Sequence, residues 1–161
     1  MNQTTTSPDP ISEASQDSGA PLQQEDARPQ PCAPQTLLLA DDEEMIRKLF
    51  LRILTATFPG LQVEAAANGR LALESFKQQH HQIVILDVSM PEMDGIKAGR
   101  AIISHCSEQK WMTPHLVFCS GSLPTPELID LAGDETRHII LKKPVTSNLL
   151  IETLQKLISS P

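Results

Sequence analysis

From Thr36 onward, short apolar runs alternate with longer segments in which apolar residues recur every three or four positions. A short run that is apolar throughout is typical of a strand buried on both faces, whereas the longer spacing is typical of an amphipathic helix. The five runs cover residues 37–40, 61–65, 83–86, 116–119 and 139–141. The second run alternates apolar and polar residues, so we predict that it lies at an edge of the sheet.

Five strand-like runs alternating with helical segments predict an α/β fold, with a mostly parallel sheet and helices on both faces. Ligands of such sheets bind beyond the carboxyl ends of the strands, so the residues that directly follow the runs are the candidates for chemistry. Those residues are Asp41, Asp42, Asp87, Ser120 and Lys143. We therefore expect three carboxylates, one hydroxyl and one ammonium to meet at one edge of the sheet.

The first 35 residues have a different composition, rich in Pro, Gln, Ser, Thr and acidic residues. Ile11 and Leu22 are the only large aliphatic residues after the initial Met, too few to offset the entropy lost on ordering the segment. We predict a disordered N-terminal tail over residues 1–35 and a single domain over residues 36–161. The total of 161 residues suits one domain with a tail.

Charge and cysteine content narrow the possible partners. The net charge of −7 counts against nucleic acid as the main partner, because phosphate binding needs an excess of Lys and Arg. The apolar runs are far shorter than the roughly 20 residues that span a bilayer. Cys32, Cys106 and Cys119 show no disulfide or zinc spacing, and the chain begins without a signal-peptide pattern. We therefore expect a cytoplasmic protein without nucleic-acid or membrane contacts.

Three carboxylates in one site repel each other strongly. The repulsion between two like unit charges at ~4 Å and an effective dielectric constant of about 20 costs about 4 kcal/mol. We therefore expect either that one Asp has a raised pKa or that a cation is bound. Oxygen ligands suit Mg²⁺, which we prefer to zinc because no His or Cys ligand set follows these strands. With Mg²⁺ and Lys143 present, Asp87 could act as a nucleophile toward phosphorus, and the Ser120 hydroxyl could hold a phosphoryl oxygen.

Four motifs together resemble the receiver domain of two-component response regulators. They are the acid pair at Asp41, the stretch DVSMPEMDG that begins at Asp87, the Ser-Gly pair at Ser120, and the Lys-Pro pair at Lys143. The resemblance covers about residues 35–159, and four motifs in order are far more specific than one. It implies a flavodoxin-like, doubly wound sheet of five parallel strands in the order 2-1-3-4-5.

The resemblance also implies a role for each site residue. Asp87 would be the phosphoacceptor, receiving phosphate from a histidine kinase or a histidine phosphotransfer protein. The implied Mg²⁺ ligands are Asp42 and Asp87 directly, Asp41 through a water molecule, and the backbone carbonyl of Ser89. Ser120 and Lys143 would contact the phosphoryl group, and the peptide bond before Pro144 would be cis. Self-phosphorylation and autodephosphorylation would be the only catalysis, so we do not expect an enzyme.

The chain departs from the receiver pattern at one output position. Receivers usually have Tyr or Phe three residues before the lysine, where this chain has Ile140. Our main hypothesis is a stand-alone receiver, similar to CheY, that acts through a separate effector protein. A degenerate receiver, which binds a partner without phosphorylation, is the alternative that Ile140 favours. A hydrolase with an aspartyl-phosphate intermediate is disfavoured, because Ser89 replaces its usual second Asp.

Several residues also have simple structural interpretations. The acid pair alone could cap the first helix, and Asp94 is expected to cap the third. We expect His80 and His81 to form the solvated end of the second helix, because neighbouring residues on a helix point apart. The remaining structural expectations are a surface charge at Lys142, a small core residue at Cys119, and a lid over the core, or else an exposed partner anchor, at Trp111.

Overall fold

The computed structural model describes residues 35–133 and 137–159. Strands and helices alternate strictly along this part of the chain. The elements are β1 (Thr36–Ala40), α1 (Glu44–Thr57), β2 (Gln62–Ala66), α2 (Gly69–Gln78), β3 (Ile83–Asp87), α3 (Gly95–Gln109), β4 (His115–Ser120), α4 (Pro126–Leu131), β5 (His138–Lys142) and α5 (Ser147–Ser159). The predicted tail lies outside the described residues, apart from Gln35. None of the helices in the described ranges has the length and apolar character needed to cross a membrane.

All five strands are parallel and follow the order β2-β1-β3-β4-β5. This confirms the predicted order and the edge position of the alternating second run. In the register of the sheet, Ala40 pairs with Leu86, and Asp87 pairs with Cys119. The carboxyl ends of the central strands therefore lie side by side, which places the residues that follow them at one edge.

Two apolar cores lie on the two faces of the sheet, because successive side chains of a strand point to opposite sides. One core joins alternate strand residues to α2, α3 and α4, where Phe76, Ile102 and Leu128 are buried. The other joins the remaining strand residues to α1 and α5, where Leu54 and Leu154 are buried. Full burial of such a side chain contributes roughly 1.5–3 kcal/mol, so both layers hold the sheet in place.

Side-chain caps fix the starts of α2 and α3. Asn68 Oδ1 accepts a hydrogen bond from the Leu71 amide in the first turn of α2, and Asp94 Oδ1 accepts one from the Lys97 amide in the first turn of α3, both at 2.8 Å. Asp94 is thus the helix cap that its position predicts. Helix α1 differs, because the residue before it, Glu43, makes no side-chain capping bond. Of the acid pair, Asp41 accepts a hydrogen bond from the Glu43 amide next to the start of α1, so a structural role there stands beside the chemical role predicted for it.

One expectation about the histidines is wrong. His80 is exposed, but His81 is fully buried, and its Nε2 lies 3.1 Å from Glu64 Oε2 on the edge strand β2. The physical reason is that α2 ends at Gln78, so both histidines belong to the turn into β3 rather than to a helix surface. Trp111 is half-buried and packs on the core beside Phe76, as the lid interpretation predicts.

Candidate functional site

Three carboxylates converge where β1 and β3 end. One oxygen from each of Asp41, Asp42 and Asp87 lies within 4.8 Å of the others. Asp41 and Asp87 are each only 3% exposed, whereas Asp42 is exposed. The parallel register explains this meeting, because β1 and β3 are neighbours in the sheet. Residues 46 positions apart along the chain therefore share one acidic site.

Lys143 supplies a positive charge inside the site. Its Nζ lies 2.6 Å from Asp87 Oδ2 and 3.7 Å from Asp41 Oδ2. Burial alone would lower the pKa of Lys143, but the hydrogen bond and the charge of Asp87 outweigh it and raise that pKa. Lys143 therefore stays protonated at neutral pH. Its backbone amide donates to the Ser120 carbonyl at 2.7 Å, and the bond to Pro144 is cis, as the resemblance implies.

Asp41 is held from two sides. Its Oδ1 accepts a hydrogen bond from the Glu43 amide at 2.8 Å, and its backbone carbonyl accepts one from Arg47 Nη1 at 2.7 Å. Burial raises the pKa of Asp41, and the Glu43 amide and Lys143 offset only part of that rise. A raised pKa was one of the two responses to charge repulsion that the sequence left open, and bound Mg²⁺ was the other.

Asp87 ends a strand that is buried throughout and begins a tight loop. Its Oδ1 accepts a hydrogen bond from the Ser89 amide at 3.0 Å, which leaves Ser89 close to the acidic site. The Gly95 amide donates to the Val88 carbonyl at 3.1 Å and so closes the loop. A Cβ atom at Gly95 would overlap the carbonyl of Asp87, so this close approach needs glycine. The role of the Ser89 carbonyl as a metal ligand stays a prediction.

Ser120 lies at the end of β4 and is 2% exposed. Its hydroxyl donates to the Ser122 carbonyl at 3.1 Å and accepts from the Ser122 amide at 3.3 Å. These bonds hold the hydroxyl within its own loop. Contact with a group on Asp87 would require the hydroxyl to exchange the Ser122 carbonyl for the new acceptor.

A cavity of about 350 Å³ lies beside the acidic site, between the sheet and the start of α1. Asp41, Asp87 and Lys143 line its polar side, and apolar residues such as Phe50 line the rest. Cys119 also lines it, and burial raises the pKa of this thiol to about 12. The thiol is therefore neutral at physiological pH, and its burial agrees with its predicted place in the core.

The donor set fits Mg²⁺. Carboxylate oxygens are the protein ligands that this ion prefers, and it usually keeps several water molecules. The buried Asp41 and Asp87 would face the ion from inside, while the exposed Asp42 leaves a side open to water. Among the described residues, Lys143 is the cation that pairs with the carboxylates of Asp41 and Asp87, and one such charge does not balance three acids. An added divalent cation would relieve the remaining repulsion.

Sequence reasoning missed Arg47, whose guanidinium supports the Asp41 backbone. A possible signal was its position in the first turn of α1, where the helix dipole favours acidic rather than basic residues. It also missed the contacts that Asn68 and Arg70 make with Glu92 across two loops. No spacing rule links those residues before the fold is known. The surface position of Lys142 is as predicted.

The sheet order and the carboxylate-lined site together define a flavodoxin-like domain, and comparisons with known proteins agree. A model of the response regulator receiver domain matches residues 37–155. The chain is 30% identical to chemotaxis protein CheY of Bacillus subtilis over 121 residues, 74% of this chain and 94% of that protein. It is 33% identical over 124 residues to an uncharacterized response regulatory protein of Vibrio cholerae, 76% of this chain but 44% of the relative.

A solved structure supports the same assignment. Chemotaxis protein CheY4 of Vibrio cholerae is 30% identical, with a TM-score of 0.64, over 78% of this chain and 99% of that one. The chain therefore belongs to the response regulator receiver domain family of two-component signalling. It spans less than half of the Vibrio response regulatory relative, so the activity of that whole protein is not carried over.

Proposed function

We propose that this domain accepts a phosphoryl group on Asp87 in a Mg²⁺-dependent phosphorelay and signals by binding other proteins. One observation carries the proposal. The Asp87 carboxylate is buried, lies 2.6 Å from the Lys143 ammonium, and shares a site with the oxygens of Asp41 and Asp42. A buried acid so placed has a nucleophilic oxygen, a cation for developing charge, and ligands for a metal.

The proposed reaction transfers a phosphoryl group from a phosphohistidine to Asp87. An Asp87 oxygen forms a bond to phosphorus while the bond from phosphorus to the imidazole nitrogen breaks, and the electron pair stays on that nitrogen. Asp41, Asp42, Asp87 and the Ser89 carbonyl would hold Mg²⁺, which when bound would reduce the charge repulsion between the carboxylate and the incoming phosphoryl group. The product is an acyl phosphate on Asp87.

Lys143 and Ser120 would hold the phosphoryl oxygens after transfer. The Lys143 ammonium already contacts Asp87 Oδ2, so a modest movement would pair it with a phosphoryl oxygen. The Ser120 hydroxyl would leave the Ser122 carbonyl and donate to a second oxygen. Each change links phosphate on Asp87 to the position of a loop after β4 or β5, which a partner could recognise.

The chemistry would be limited to the domain itself. Self-phosphorylation forms the acyl phosphate, and autodephosphorylation by water removes it, so the domain has no external substrate beyond the phosphodonor. Ser89, at the position where an aspartyl-phosphate hydrolase has its second Asp, has no carboxylate to act as a general acid or base. This favours a phosphoryl acceptor over a hydrolase.

Receiver domains interact with histidine kinases and with effectors. For this chain, we assign the donor to a histidine kinase or a histidine phosphotransfer protein and the output to a separate effector protein. Met45 and Leu49, exposed apolar residues of α1 close to the acid pair, support docking of a protein at this end of the domain. The proposal includes a cytoplasmic location, and the net charge of −7 argues against direct contact with nucleic acid.

A second candidate is a degenerate receiver that acts as a phosphorylation-independent binding module, which Ile140 favours. Incubation with acetyl phosphate and Mg²⁺, followed by intact-protein mass spectrometry, separates the two. Phosphorylation predicts one added phosphate per chain, lost in Asp87→Asn and after chelation of the metal. If wild-type protein takes up no phosphate and binds no Mg²⁺ in calorimetry, the degenerate module is the correct interpretation.

A further inference from the structure

Glu92 occupies an unfavourable backbone conformation in the loop between β3 and α3. Its φ is 63°, and the Met93 amide donates to the Pro91 carbonyl across it at 2.7 Å. A turn of three residues around a non-glycine residue with positive φ is strained. Such a conformation persists only where the surroundings hold it.

The start of α2 provides that support. Asn68 Nδ2 donates to Glu92 Oε1 at 3.3 Å, and Arg70 Nε donates to Glu92 Oε2 at 3.1 Å. Between them, the Gly69 amide donates to the Met93 carbonyl at 3.2 Å, and a Cβ atom at Gly69 would overlap that carbonyl. Residues 68–70 thus all form hydrogen bonds to the middle of the loop. The side chains of Asn68, Arg70 and Glu92 are called the loop clamp below.

The clamped loop is the one that follows Asp87. Its near end is fixed by the bond from the Ser89 amide to Asp87 Oδ1, and its far end by the bond from the Gly95 amide to the Val88 carbonyl. Ser89 lies between Asp87 and the clamped turn. Movement of the turn at Glu92 would therefore shift the Ser89 carbonyl relative to the acidic site.

We propose that Asn68 and Arg70 act through Glu92 as positioning residues that set how tightly the acidic site binds Mg²⁺. This inference rests on the proposed function, because it assumes that the Ser89 carbonyl faces the ion. None of the three clamp side chains belongs to the predicted ligand set. Their effect is on the geometry of the loop that contains a ligand.

The contact between Arg70 and Glu92 has little to contribute to folding, whereas Asn68 also caps α2. The side chains of Arg70 and Glu92 are 54% and 55% exposed, and an ion pair in such a position adds little to stability. Arg70 also pairs with Glu74 at 2.8 Å along α2, with similar exposure. Glu74 is a matched control, because its side chain pairs with the same arginine along the helix rather than with the loop.

Calorimetric titration of the full chain with Mg²⁺ tests the inference through Arg70→Ala and Glu92→Ala. Positioning predicts that both variants weaken Mg²⁺ binding by about three- to fivefold, the size expected from loss of a surface ion pair. A purely electrostatic effect would change the Mg²⁺ affinity of the two variants in opposite directions, because one variant removes a positive charge and the other a negative charge. The double variant should be no weaker than the weaker single variant, because both break the same contact.

Arg70→Lys should recover most of the affinity, and Glu74→Ala should leave it within about twofold of wild type, since it removes only a helix-surface pair. The NMR amide signal of Ser89 should shift in Arg70→Ala and stay unchanged in Glu74→Ala. Opposite-signed effects, or unchanged affinity in both loop-clamp variants, would overturn the inference while leaving the proposed function intact. Failure of the wild-type protein to bind Mg²⁺ would overturn both.

Discussion

The ammonium of Lys143 lies between two acids, 2.6 Å from the Asp87 carboxylate and 3.7 Å from that of Asp41. It therefore neutralises the charges that a divalent ion would also use. Asp41 follows β1, Asp87 ends β3, and Lys143 follows β5. These residues meet because the strands are parallel and their carboxyl ends lie at the same edge of the sheet. In the proposed function, Lys143 would therefore have two opposing effects: it would repel the metal ion and attract the phosphoryl group.

Replacement of Lys143 separates those two effects. Lys143→Met should bind Mg²⁺ more tightly, because a nearby positive charge is gone. The same variant should take up phosphate at least about tenfold more slowly, because a donor to the developing charge is lost. Calorimetry and the rate of phosphate uptake from acetyl phosphate measure the two effects. Lys142→Met, at the exposed neighbouring position, should change neither, and weaker Mg²⁺ binding in Lys143→Met would contradict this account.

The hydroxyl of Ser120 should matter for transfer but not for the metal. Ser120→Ala is expected to slow phosphate uptake by about tenfold or more, because one hydrogen bond to the phosphoryl group is missing. Ser120→Thr keeps the hydroxyl and should remain close to wild type. Mg²⁺ affinity should be the same in all three proteins, so a loss of metal binding in Ser120→Ala would show that the role assigned to the hydroxyl is wrong.

Gly95 should be intolerant of any side chain. Its Cβ would overlap the Asp87 carbonyl, so Gly95→Ala is expected to destabilise the fold by about 1–3 kcal/mol. Gly60→Ala is the matched control, because a Cβ at Gly60 meets no atom within 4 Å. Urea unfolding followed by circular dichroism measures both. Equal stability of the two variants would mean that the tight approach at the end of β3 is not required.

The buried His81 should make stability depend on pH. Burial lowers the pKa of His81, although the hydrogen bond to Glu64 opposes this. Burial and the charge of Arg137 likewise lower the pKa of His115. The unfolded chain binds the protons first, at about pH 6.5, so stability is full above that value and is lost as pH falls toward the folded pKa. His81→Gln should shrink this loss between pH 8 and pH 5, roughly the range over which histidine titrates. An unchanged slope would contradict the assignment.

The sheet could be predicted from the sequence because the pattern of apolar residues in each run indicates which faces of that strand are buried. A run such as residues 83–86 must be buried on both faces of the sheet, whereas the alternating second run needs burial on one face only. That difference predicted the edge position of the second strand. The order of the five strands came from the family resemblance. The positions of the candidate residues then followed from parallel pairing. Ser120 and Lys143 therefore lie at the edge where they were expected.

The contacts that the sequence did not predict join residues through loops. Periodicity assigns a face to a residue within a helix but has no meaning after the helix ends, which is why His81 was misplaced. The contact between Asn68 and Glu92 depends on how two separate loops meet over the sheet edge. Such contacts are set by tertiary packing, and no local pattern encodes them.

The most direct test of the central claim is to locate the phosphate itself. After reaction with acetyl phosphate and Mg²⁺, borohydride reduces an acyl phosphate of aspartate to homoserine, which peptide mass spectrometry assigns to a position. We predict homoserine at residue 87 alone, and none without Mg²⁺. Homoserine at Asp41 or Asp42, or at no position despite bound Mg²⁺, would contradict the account of Asp87 as the phosphoacceptor.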